Sequence, residues 1–223
     1  MQPHTAGNPS CKPFLLTLLS LVVLQNTGAA AEPIIWRLEN AGKIGNQETT
    51  VLGNPVASSD GLTFDGAHDG VFVPVIPIAG WSSFTIEILF SPSDSGHAEQ
   101  RFLHLEDERG ARGLIELRLN QNGEWWLDTF LRDGDSQRAL IDSGKKHPAG
   151  QWYWAALRYD GTTMTHFVNG EQEIQGAVSF HPMGAGRVSI GVRQNKVFWY
   201  KGSIREVRFT PTALPREQLQ RPQ

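Results

Sequence analysis

Five short runs of this chain carry side chains able to bind or transform a polar ligand. If the apolar members of each run face a core, the opposite alternates are Glu116 and Arg118, then Trp126, Asp128 and Phe130, then Trp154 and Arg158, then His166, and finally Arg193. Aromatic rings stack on apolar C–H surfaces, and a planar guanidinium takes two acceptors at once in a way lysine does not. That is the chemistry of sugar recognition. It nominates Arg118, Trp126, Asp128, His166 and Arg193 as a ligand-binding set, with Glu116 and Arg158 beside them. A plainer reading stays open, in which Glu116 and Arg118 face Asp128 as cross-strand ion pairs on a solvated sheet.

Reactive chemistry has weaker footholds. Glu116 and Asp128 would be neighbours across a hairpin, where two carboxylates about 5 Å apart can serve a retaining glycosidase. His104, His166 and Arg193 supply groups that a polysaccharide lyase would use. The acidic run Glu106-Asp107-Glu108, followed by R-G-A-R-G, reads as a charged loop. No G-x-S-x-G nucleophile elbow is present, and no histidine pair has zinc-like spacing. Among the tryptophans, Trp36, Trp81 and Trp152 are expected in the core, while Trp126 and Trp199 are the better stacking platforms.

The elements that must position these groups are strands. In F-T-I-E-I-L-F, Phe84, Ile86, Ile88 and Phe90 fall on one face and Thr85, Glu87 and Leu89 on the other, and Val188, Ile190 and Val192 repeat the alternation. Asn122-Gly123, Asp160-Gly161 and Asn169-Gly170 are hairpin signals, because Asn or Asp before Gly suits positive φ. They predict pairing of residues 114–120 with 125–131, and of 153–159 with 164–168. A short helical turn is expected after Pro211, with Leu214 and Leu219 covering a sandwich edge.

The N-terminus reads differently. Lys12 precedes an apolar run over residues 14–24, which ends in Asn26, Thr27, Gly28 and Ala29-Ala30-Ala31. This is the order of a secretory signal peptide over residues 1–31, and the run is too short to span a bilayer core of roughly 30 Å. Residues 32–223 then form one domain, expected in the periplasm or outside the cell with no membrane anchor. The single cysteine, Cys11, lies before the apolar run, so the domain has no disulfide and packing alone must hold it. A net charge of −3 with interspersed signs gives no footprint for nucleic acid.

Several phrases together resemble a known family. They are F-D-G-A-H-D-G-V-F-V-P at residues 64–74, F-T-I-E at 84–87, W-Y-W-A-A-L-R-Y-D-G-T-T-M-T-H-F-V-N-G at 152–170, S-I-G-V-R at 189–193 and Y-K-G-S-I-R-E-V-R-F at 200–209. In this order they resemble a laminin-G-like domain of the concanavalin A-like lectin and glucanase superfamily, over roughly residues 34 to 219. The resemblance implies an all-β jelly-roll sandwich of two antiparallel sheets, with ligands meeting the concave sheet or its rim loops. It brings forward calcium, which Asp65 and Asp69 would hold at a rim, although Arg205 stands where many relatives have Asp. The superfamily's glucanases carry E-x-D-x-x-E, which this sequence lacks. Since one fold hosts many functions, residues must decide. The resulting expectation is an exported, non-catalytic module that binds an oligosaccharide, polysaccharide or glycoconjugate. A polysaccharide-active enzyme using Glu116 and Asp128, or a protein-interaction domain working through rim loops, are the alternatives.

Overall fold

The computed structural model describes residues 1–4 and 32–222; the signal-peptide reading falls mainly on residues outside these. From residue 32 onward the chain is built of strands with a single 3-10 turn. Seven short strands come first: β1 (Ile34–Arg37), β2 (Lys43–Ile44), β3 (Gln47–Glu48), β4 (Thr50–Leu52), β5 (Val56–Ser58), β6 (Gly61–Asp65) and β7 (Gly70–Val73). Longer strands follow: β8 (Phe84–Pro92), β9 (Glu99–Asp107), β10 (Arg112–Leu119), β11 (Glu124–Asp133) and β12 (Ser136–Ile141). The last group is β13 (His147–Pro148), β14 (Tyr153–Tyr159), β15 (Thr163–Val168), β16 (Glu171–Ala177), β17 (Gly186–Ile190) and β18 (Lys201–Thr210).

Two large antiparallel sheets result. The first runs β16-β15-β14-β8-β18-β6-β5, with β1 also on β18, and the second runs β12-β11-β10-β9-β17-β7-β4, with β13 on β11. Both expected hairpins form, β10 with β11 and β14 with β15. Their turns use Gly123 at φ 72° and Gly161 at φ 104°.

Inner alternates of the two sheets meet in one core. Phe90 of the first sheet stacks on Phe102 of the second at 4.5 Å between centroids, and Trp125 meets Phe90 edge-on at 5.1 Å. Trp36 is fully buried as expected, whereas Trp81 and Trp152 are only partly so.

The C-terminal tail does not lie where the sequence suggested. Leu214 and Leu219 pack on Ala156 and Phe167, covering an outer face of the first sheet rather than an edge. The turn Arg216–Gln218 sits within that cover. Thr85 accepts the Leu214 N–H and donates to the Thr212 carbonyl, while buried Glu87 accepts the Gln220 N–H. A half-polar strand face thus becomes interior, because each buried polar group finds a backbone partner.

Gly191 fixes the exit from β17. Its φ is +80°, and a Cβ there would lie 2.3 Å from the Phe64 ring. Its N–H donates to the Phe102 carbonyl, and its own carbonyl accepts from Tyr200. Gly191→Ala is expected to cost roughly 2–4 kcal/mol through backbone strain and overpacking, read as a lowered midpoint in urea unfolding.

Candidate functional site

The outer face of the second sheet is built by register. Glu116 sits opposite Asp128, Arg118 opposite Trp126, Leu114 opposite Phe130, and Arg112 opposite Arg132. On the other side of β10 a register shift between Ile115 and Glu116 pairs Glu116 with Arg101 of β9. These side chains surround a cavity of about 240 Å³, lined by Arg101, Arg112, Leu114, Glu116, Arg118, Asp128, Phe130, Arg132, Gln137, Ala139 and Arg193.

A chain of ion pairs forms one wall. Arg118 gives two N–H groups to Asp128 Oδ2, at 2.7 and 3.0 Å, and reaches Glu99 at 2.6 Å. Glu99 also pairs with Arg101, whose Nε lies 2.7 Å from Glu116 Oε2, close enough for attraction but not aligned as a hydrogen bond. Each charge is therefore held in place by the next. Burial, with the Asp128 charge adding to it, pushes the Glu116 carboxyl up to about 7 against the pull of Arg101 and Arg118. Burial likewise raises Asp128, opposed by its hydrogen bonds from Arg118.

A loop overhangs the same face. Lys196 and Phe198 adopt positive φ, of 61° and 59°, and the Arg101 guanidinium lies 3.7 Å over the Phe198 ring. Such strain in non-glycine residues is tolerated where surrounding contacts over-determine it. Here the Phe198 carbonyl accepts the Arg101 N–H, and the Gln194 N–H donates to His104 Nδ1. His104 is held neutral: burial first, then Arg193, Arg112, Arg101 and Arg187, lower its pKa to about 3. Trp199 and Val197 line a neighbouring hollow of about 400 Å³ that shares Glu99 with the ion-pair wall.

The structure brings together Glu116, Arg118, Asp128 and Arg193 from the expected set. Trp126 lies on the same face, across from Arg118, but does not line the cavity. His166 and Arg158, expected on this face, lie elsewhere. His166 pairs with Leu157 and points between the sheets, 3.0 Å from Thr129 Oγ1 and 3.5 Å from Glu173. It shares the alternation of Met164 and Val168, the core-facing members of β15, and burial lowers its pKa to about 3. Arg158 is on the outer face of the other sheet, where it donates to the Leu214 carbonyl beneath the tail.

Asp65 and Asp69 do not fit calcium, which takes six to eight oxygen ligands. Asp65 Oδ1 accepts the N–H groups of Ala67, His68 and Asp69 at 2.8, 2.8 and 3.0 Å, and Oδ2 meets the His68 ring. Burial acts to raise the Asp65 carboxyl, but those donors outweigh it and hold the group well below the usual range. Asp69 accepts from Asn54 and Asp65. Arg205 turns to Asp60 and lies over Trp152. Among the described residues no group of three or more His, Cys, Asp or Glu could hold a metal.

Residues missing from the sequence reading are Arg101, Arg112, Arg132 and Gln137. Extending the hairpin alternation two residues beyond Leu114 and Phe130 reaches Arg112 and Arg132. Asp133-Gly134, with Gly134 at φ 56°, is the turn signal for the β11–β12 hairpin that delivers Gln137. Arg101 had no signal, since a bulge sets its register.

The sequence model described as the concanavalin A-like lectin/glucanases superfamily, of laminin G type, matches residues 65–220. No curated protein matches the sequence. Among solved structures, domain 4 of AbnA, a GH43 extracellular arabinanase from Geobacillus stearothermophilus, was determined in complex with arabinotriose. It superposes with TM-score 0.64 at 19% identity, over 85% of this chain and 97% of that one. The ligand-binding domain of botulinum neurotoxin serotype D, in complex with N-acetylneuraminic acid, gives TM-score 0.62 at 15% identity over 82% of this chain and 48% of that one. The present chain thus spans about half the length of the toxin domains it matches, and at these identities the likeness is one of fold. No helix among the described residues is long and apolar enough to cross a membrane.

Glu116 provides a test of the buried network. Its folded pKa lies above the unfolded value, so the fold favours the protonated form. That contribution is full below about pH 4.5 and is lost as pH rises through about 7. Glu116→Gln keeps the shape without the charge. Thermal melts should show the variant matching wild type near pH 4 and exceeding it by roughly 1–3 kcal/mol near pH 8. Lower stability of the variant at pH 8 would mean that the attraction to Arg101 outweighs the cost of burial.

Proposed function

We propose that this chain, which belongs to the concanavalin A-like lectin/glucanases superfamily, is an exported, non-catalytic module that binds glycans on the outer face of its second sheet. One observation carries the reading: half-exposed Phe130 and apolar Leu114 share a cavity of about 240 Å³ with guanidinium and carboxylate groups. Apolar surface with a few oriented polar groups is what a sugar-sized ligand needs. Ion pairs fix those groups before binding, which lowers the entropy lost when ligand arrives. The ligands bound in the structural neighbours, arabinotriose and N-acetylneuraminic acid, are saccharides and support the same direction.

The opposite sheet is a poorer candidate, since the tail lies across it and fills its apolar patch. A larger cleft of about 520 Å³ near the N-terminal hairpin has charged and amide groups but no aromatic lining. Catalysis by Glu116 and Asp128 is disfavoured because Asp128 Oδ2 already accepts two Arg118 N–H groups and Arg101 faces Glu116. Glu116, raised to about 7 and without a hydrogen bond from Arg101, is able to hold a proton, but a retaining glycosidase needs a second carboxylate free to attack, and Asp128 is committed to Arg118.

Glycan-array binding tests the site. Phe130→Ala breaks no ion pair and should weaken binding about tenfold or more with little change in melting temperature. Arg118→Ala combined with Asp128→Ala, which removes both partners together, should abolish it. Undiminished binding by both variants would move the site elsewhere, and reducing-sugar release from a polysaccharide panel would replace a binding module with an enzyme.

A further inference from the structure

The cavity has two unlike halves. On one side Arg101 and Arg118 are neutralised by Glu99, Glu116 and Asp128. On the other side stand Arg112, Arg132 and Arg193, and among the described residues none of these three lies within ion-pair distance of a carboxylate. Arg112 and Arg132 are direct cross-strand partners, an arrangement of like charges that destabilises a sheet. Arg132 spends its Nε on the Gly134 carbonyl, while the Arg112 Nε is buried with no partner at all. Burial lowers the Arg112 pKa, and although Glu106 opposes this, Arg132 and Arg193 add to it. Arg112 faces Glu106 across the β9–β10 pairing without forming an ion pair, and Arg132 and Arg193 have no ion pair either, so a protein of net charge −3 has gathered three unpaired guanidinium groups around one hollow.

We infer that the glycan is acidic, and that Arg112, Arg132 and Arg193 clasp its carboxylate or sulfate group while the sugar ring lies against Phe130. This rests on the glycan-binding reading and narrows it. An anion in the cavity supplies the counter-charge that these three guanidinium groups lack at ion-pair distance. The guanidinium fork matches both carboxylate and sulfate oxygens. The neutralised half of the cavity then has a different task, since its fixed carboxylates suit the hydroxyls of the same sugar and repel a second acidic group. A neutral His104 beneath the loop lets the three positive charges stand without a fourth.

The experiment is titration calorimetry of the protein with matched saccharides: an oligogalacturonate and its carboxyl-reduced form, and a sulfated heparin tetrasaccharide and its desulfated, carboxyl-reduced form. We expect one acidic member to bind at least tenfold more tightly than its neutral counterpart at low salt, with the preference shrinking as salt rises. The pair that shows it distinguishes carboxylate from sulfate. Arg112→Gln, Arg132→Gln and Arg193→Gln should each erase most of that preference. Cooperative melts of each variant near the wild-type midpoint show that lost binding is not unfolding, since each substitution relieves like-charge repulsion but also removes a favourable partner, Glu106 for Arg112 and the Gly134 carbonyl for Arg132. Equal binding of acidic and neutral members, or a preference unchanged in all three variants, overturns the inference and leaves glycan binding intact. No binding to these saccharides or to any glycan of an array removes both.

Discussion

Everything on the surface of this protein depends on the apolar contact between its two sheets. Phe90 and Phe102 stack across it, and Trp125 from the second sheet and Tyr153 from the first close around Phe90. Cys11 is the only cysteine in the sequence, so no intramolecular disulfide supports the domain and this packing carries the load. Because strand side chains alternate, committing one set to the core commits the other set outward in fixed order. Glu116, Asp128 and Arg118 are neighbours for that reason alone.

The two outward faces are handled by different physics. On the first sheet the tail from Thr212 to Gln220 supplies backbone partners to Thr85, Glu87 and Arg158, so polar side chains are buried without being orphaned. On the second sheet no segment of the described chain does the same for Arg112, and polar groups there pair with each other or face the cavity. Buried ion pairs contribute little net stability, since desolvation offsets attraction, but they do fix geometry. The linked series Glu116, Arg101, Glu99, Arg118 and Asp128 is best understood as a device for holding orientation.

Legibility of the site followed the range of the interactions that make it. The β10–β11 hairpin was readable from Asn122-Gly123, and with it the pairing of Glu116 with Asp128, because turn geometry fixes register over a few residues. The polarity of His166 points outward, whereas its alternation with Met164 and Val168 points inward, and the fold follows the alternation. A buried neutral histidine, bonded to Thr129 beside Glu173, looks like a surface residue in sequence and behaves like a core one in the fold. Asp65 and Asp69 looked like ligands for the converse reason, since the carboxylates that stabilise a turn are the same residue types that bind a cation.

By itself the sequence determined the all-β class, the hairpins and the family, since period-two alternation, Asn-Gly and Asp-Gly turns and the order of short phrases are all local properties of the chain. Tertiary structure decided which outward face is open, through a tail more than a hundred residues from the strand it covers. It also decided which arginines are neutralised. Arg101 reaches the site through a bulge in β9–β10 pairing, and Arg193 through a loop anchored on His104 and Phe102. Coulomb attraction depends on distance in space, and distances between remote strands exist only once the sheets have closed.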